Sequence, residues 1–135
     1  MALDIMQATR IMEALATTNE QFAELCRSMR KRAGTVSAKH EMSVRRYGSE
    51  TLIEFYVDVE LRNGKNLGWW MEIHCGERRW IIESSVHLND EHGEEKVREF
   101  PDHMTTSLEE FLSELEESTA ALSESVGCYD QAFCL

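Results

Sequence analysis

Three glutamates, Glu54, Glu72 and Glu83, and one histidine, His74, occupy the polar half of runs in which apolar and polar residues alternate. If those runs are neighbouring strands, the three carboxylates stand side by side. Like charges opposite each other on a sheet are destabilising, so such a row is either fully solvated or completed by something positive. Three chemistries answer that description. A hard divalent cation would take the oxygens, a crowded carboxyl with a raised pKa would act as an acid or base, and a basic partner protein would supply Lys or Arg.

Whether the residues meet depends on the strands that carry them. From Thr51 to Arg62, Ile53, Phe55, Val57, Val59 and Leu61 alternate with Glu54, Tyr56, Asp58 and Glu60, the period-2 pattern of a half-buried strand. The next run alternates again, with Leu67, Trp69, Met71, Ile73 and Cys75 against Trp70, Glu72 and His74. A two-residue Asn63-Gly64 turn would set the apolar face of one strand against the polar face of the other. A three-residue loop, Arg62-Asn63-Gly64, with Gly64 left-handed in a bulge, pairs Val57 with Trp69 and Phe55 with Met71. A slip of one residue moves every side chain across the sheet, so the hydrophobic pattern selects the bulge.

The third run, Trp80 to Leu88, extends the same logic. An even loop through Gly76-Glu77-Arg78-Arg79 pairs Cys75 with Trp80 and Ile73 with Ile82. The opposite face then carries four rows: Leu52, His74, Ile81; Glu54, Glu72, Glu83; Tyr56, Trp70, Ser85; and Asp58, Gly68, His87. It is neither plainly polar nor plainly apolar.

Composition narrows the field further. The chain has 135 residues, 42% hydrophobic, with one proline, which suits one globular domain with a single core. Its net charge of -11 is lopsided: residues 1–82 hold 12 Lys/Arg and 11 Asp/Glu, whereas residues 83–135 hold 2 and 14. An acidic half repels nucleic acid and anionic lipid and attracts basic partners. No run approaches the roughly 18–20 apolar residues of a membrane span. Met1-Ala2-Leu3-Asp4 shows no secretory pattern, so a cytoplasmic address is expected.

Cys26, Cys75, Cys128 and Cys134 follow no metal-binding spacing. Cys26 and Cys75 read as small core hydrophobes; Cys128 and Cys134 share the terminal tail and are expected to be free thiols in a reducing compartment. Neither a Gly-x-Ser-x-Gly elbow, a phosphate-binding glycine loop nor a His-Glu-x-x-His pair occurs. No cofactor is called for.

The flanking segments are helical. Residues 3–33 repeat apolar side chains at helical spacing through Ile5, Ala8, Met12, Leu15, Phe22, Leu25, Cys26 and Met29. Thr18 and Gln21 have capping-box spacing, so the segment is either one helix or two meeting near Thr18. Arg27, Arg30, Lys31 and Arg32 read as a solvated helix end. A weaker strand is expected over Lys39–Tyr47, with Met42 and Val44 inward, and a short charged edge strand over Glu95–Phe100, ended by Pro101. Thr106 with Glu109 and Ser107 with Glu110 form overlapping capping boxes for a second helix striped by Leu108, Phe111, Leu112, Leu115 and Leu122.

The expected fold is therefore α+β: an N-terminal helix, an antiparallel meander of four to five strands and a C-terminal helix, with the helices on the Phe55/Trp69/Ile82 face. Residues 1–127 form the domain and 128–135 a tail. The expected function is non-catalytic: binding of a basic protein partner, as an inhibitor, immunity protein or chaperone-like adaptor would, through Glu54, Tyr56, Asp58, Trp70, Glu72, His74 and Glu83. Exposed aromatics serve as interface anchors. The alternative is a small ligand-binding or metal-dependent enzyme domain using Glu54, Glu72, Glu83 and His74. Two further arrangements would bury the mixed face instead, a homodimer contact or a helix over residues 2–16 supplying Arg10.

Overall fold

The structure is a computed structural model that describes residues 4–127 and 129. Its elements run α1 (Ile5–Arg30), β1 (Thr35–Tyr47), β2 (Glu50–Leu61), β3 (Asn66–Cys75), β4 (Trp80–Asp90), β5 (Gly93–Glu99), β6 (His103–Thr105) and α2 (Leu108–Glu124). All strand pairs are antiparallel, in the order β1-β2-β3-β4-β5, with β6 also on β4. β5 and β6 share one edge of β4, β5 opposite Ser85–Asp90 and β6 opposite Trp80–Ile82. Pro101, which has no N–H to give a ladder, separates the two.

The register follows from turn chemistry. Gly64 sits at φ +85°, Gly64 N–H donates to Leu61 O at 3.0 Å and Leu61 N–H to Lys65 O at 2.9 Å, the bulged three-residue loop the alternation demands. Val57 therefore faces Trp69, Phe55 faces Met71, and across the next pair Ile73 faces Ile82. At the β1–β2 hairpin Tyr47 pairs with Glu50 around Gly48-Ser49, with Gly48 at φ +65°. A glycine in the first central position is what a two-residue hairpin turn of this hand needs.

Both helices pack on the inward set. Phe22 of α1 stacks on Phe55 with centroids 5.5 Å apart, and Phe111 of α2 stacks on Trp80 at 5.1 Å. Phe55, Val57, Trp69, Met71 and Ile73 are wholly buried between sheet and helices. The helices lie side by side and parallel, Arg10 reaching Glu109 near their starts. Arg10 is thus engaged on the helix layer and does not cross to the other sheet face.

Several expectations need correction. α1 is unbroken: Thr18 is buried and its hydroxyl donates back to Ala14 O at 3.0 Å, the i−4 bond that lets a threonine sit inside a helix. The capping box belongs to Asp4 and Gln7. Met42 and Val44 share the inward face in register but stay exposed, because the helices do not reach that end of the edge strand. β1 begins at Thr35 and β6 was not foreseen. At α2 only Ser107 caps, receiving Glu110 N–H, while Glu110 turns its carboxylate to the Thr105 hydroxyl at 2.7 Å. α2 closes at Ser125.

The basic end of α1 is partly engaged: Arg27 pairs with Glu20 and Glu24, and Arg30 donates twice to Ala38 O, tying helix to edge strand. Cys26 is buried, as expected, and Cys75 is half-buried. Cys128 and Cys134 lie outside the described residues. Tyr129, beyond the domain boundary expected at 127, is buried with its hydroxyl 2.9 Å from the Thr35 hydroxyl.

Candidate functional site on the outer sheet face

Alternation along β2, β3 and β4 places the predicted residues together on the face turned away from the helices. Glu54 pairs with Glu72 and Glu72 with Glu83; Tyr56 pairs with Trp70 and Trp70 with Ser85; Asp58 faces Gly68 and Gly68 faces His87. All seven sequence-derived site residues lie on this face. Although no helix among the described residues packs here, it is not an ordinary wet surface. Leu52 and Ser85 are buried, Tyr56 and Trp70 are half-buried, and the Glu72 side chain is only 14% exposed.

One end of the face is a histidine ringed by acids. His74 Nε2 lies 3.5 Å from Glu72 Oε1 and 3.5 Å from Glu83 Oε2, and its Nδ1 lies 3.6 Å from Glu50 Oε2. Glu54, next in the ladder, has Arg45 of β1 at 3.8 Å. Burial, with Glu54 and Glu83 adding like charge, holds the Glu72 carboxyl above its ordinary range, while His74 and Arg45 pull the other way.

The other end is an aromatic hollow of about 530 Å³ lined by Tyr56, Asp58, Gly68, Trp70, His87, Glu94 and Lys96. Trp70 meets His87 edge to face, centroids 6.1 Å apart. His87 is held on both sides: Nε2 is 2.6 Å from the Ser85 hydroxyl and Nδ1 is 2.5 Å from Glu94 Oε1. Tyr56 donates its hydroxyl to Glu41 at 2.6 Å, which pushes the phenol up to about 12. Burial raises the Asp58 carboxyl, with Lys39 opposing. Gly68 forms the floor, since a side chain there would rise into the hollow.

The contributions of β1 and β5 were not read from the sequence. Arg45, Glu41 and Lys39 all reach the face because the two-residue turn at Gly48-Ser49 sets Tyr47 opposite Glu50. The turn-parity reasoning used for the other hairpins would have found them. Glu94 and Lys96 follow from the turn that sets Asp90 opposite Gly93, which pairs Asn89 with Glu94 and His87 with Lys96; the register shift between Val86 and His87 comes only beyond them.

The chain matches no protein-family model, no curated protein and no solved structure, so its chemistry is read from this geometry. No helix among the described residues is long and apolar enough to cross a membrane.

Proposed function

We propose that this is a non-catalytic binding domain, acting in the cytoplasm, whose outer sheet face captures a basic segment of a partner protein. The observation that carries the reading is the hollow itself: aromatic rings of Tyr56 and Trp70 beside the carboxylates of Asp58 and Glu94. An arginine side chain fits that combination. Its planar guanidinium stacks on an aromatic face and offers a fork of donors to carboxylates. The adjoining glutamate row extends the negative surface, steers a cationic partner and resists anionic ones.

Half-burial supports the same reading. Tyr56 is restrained by Glu41 and His87 by Ser85 and Glu94, with Trp70 edge-on to His87, so a partner would find anchors that are already partly fixed. The test is fluorescence anisotropy with labelled Arg- and Lys-containing peptides, compared with acidic peptides of equal length. Binding is expected to be confined to the basic set, to weaken with salt and to fall in Trp70→Ala. Equal binding of both sets, or none of either, would contradict it.

A further inference from the structure

We propose that Glu72, His74 and Glu83 form a binding site for a divalent first-row transition ion such as Zn²⁺. Among the described residues, these offer one imidazole nitrogen and two carboxylate oxygens, all within 4.8 Å of one another. The site adjoins the aromatic hollow, with Glu72 two residues from Trp70 on β3, but does not rest on the peptide-binding reading.

Spacing is what separates this cluster from a patch of acids. The two His74 Nε2 distances of 3.5 Å are too long for hydrogen bonds. They match atoms that share an ion: ligands about 2.0–2.2 Å from tetrahedral zinc lie roughly 3.4 Å from each other. His74 Nε2 is moreover sealed from solvent and has no hydrogen-bond partner. A buried polar atom without a partner is uncommon and costs stability. A metal ion would supply the missing partner to that nitrogen and bind the two neighbouring carboxylates with it.

The surroundings have the features of an outer shell. Glu50 Oε2 stands 3.6 Å from His74 Nδ1, where a small closure would let the ring donate its N–H to a carboxylate. That arrangement fixes the tautomer that leaves Nε2 free to ligate. The ligands come from two adjacent central strands, β3 and β4, whose register is held by the core on their other face. One nitrogen with two oxygens suits ions that accept imidazole and carboxylate together, and suits Mg²⁺ or Ca²⁺ poorly. Glu54 lies next in the row, and water would complete the coordination.

Calorimetric titration of the metal-free, full-length chain with Zn²⁺, paired with NMR of the histidine side chains, tests this. One ion per chain is expected, with the His74 ring resonances moving and those of exposed His92 unchanged. His74→Ala and Glu83→Gln should each weaken Zn²⁺ at least tenfold while keeping the far-ultraviolet spectrum of the parent. Glu83→Gln is nearly isosteric and half exposed, so it reports even if His74→Ala fails to fold. Absence of Zn²⁺ binding up to millimolar concentration would overturn the proposal. So would a Glu83→Gln variant that binds as the parent does, or binding that moves only His87.

Discussion

The two faces of the sheet are built from the same strands and do opposite work. On the inner face Phe55, Val57, Trp69, Met71 and Ile73 are wholly buried and make no use of polarity, so their contribution is packing. On the outer face Glu72, His74, Trp70 and Tyr56 are only partly shielded, and acids outnumber the cations Lys39, Arg45 and Lys96. Burying acids that way lowers no folding free energy, as the raised Glu72 and Asp58 carboxyls attest. That cost is consistent with the proposal that the outer face is shaped for a ligand.

Substitutions should therefore separate stability from binding. The largest effect belongs to the inner face: Trp69→Ala is expected to cost about 3–5 kcal/mol in denaturant unfolding, through lost burial and the cavity left behind. Next comes the outer face, where Trp70→Ala with Glu72→Lys should weaken basic peptides by about a hundredfold or more, a pair of anchor losses. The same double variant should keep a single cooperative unfolding transition. Loss of that transition would mean that the outer face also holds the fold.

A glycine sharpens the contrast. Added at Gly68, a Cβ would meet only Val57 O at an ordinary 3.8 Å, so the backbone tolerates a side chain there. Gly68→Val should fill the hollow and reduce peptide affinity about tenfold while raising the melting temperature, because valine favours a strand over glycine. A variant that is more stable and binds unchanged would remove the hollow from the account.

Acid titration gives a smaller signal. The folded Asp58 carboxyl titrates above its unfolded range, so the folded state holds the proton more tightly. Stability from this group is full below the unfolded pKa and is lost as pH rises through the raised folded value. Asp58→Asn should accordingly be slightly more stable than the parent at neutral pH, with the difference vanishing on acidification, as thermal melts across that range would record. Least in energy is the Tyr56 phenol: Glu41→Gln should bring its titration, followed by ultraviolet absorbance, down from about 12 towards the ordinary tyrosine value of 10.0.

Much of this was legible in the sequence because the hydrophobic pattern constrained it. Once inward residues had to face inward, Gly64 had to form a bulge and the loop after Cys75 had to be even, which aligned Glu54, Glu72 and Glu83 without further information. The parts that were not legible lacked such a constraint. β1 is exposed along most of its length, so burial could not mark its ends. Thr17-Thr18-Asn19 resembles a helix start, yet packing overrode it, burying Thr18 against the layer beneath. His74 was placed on the right face, but the approach of its ring to Glu50, Glu72 and Glu83 is a matter of rotamers that strand register leaves open.

The central claim is that the outer face binds a basic partner and the inner face only holds it in place. Its most direct test is the affinity of an Arg-containing peptide for the parent chain and for Trp70→Ala/Glu72→Lys, with unfolding free energies measured on the same samples. The account predicts a large loss of affinity with stability nearly unchanged. Undiminished, salt-sensitive binding in the folded double variant would contradict it and move recognition to the acidic surface of α2, where Glu109, Glu116, Glu117 and Glu124 are exposed.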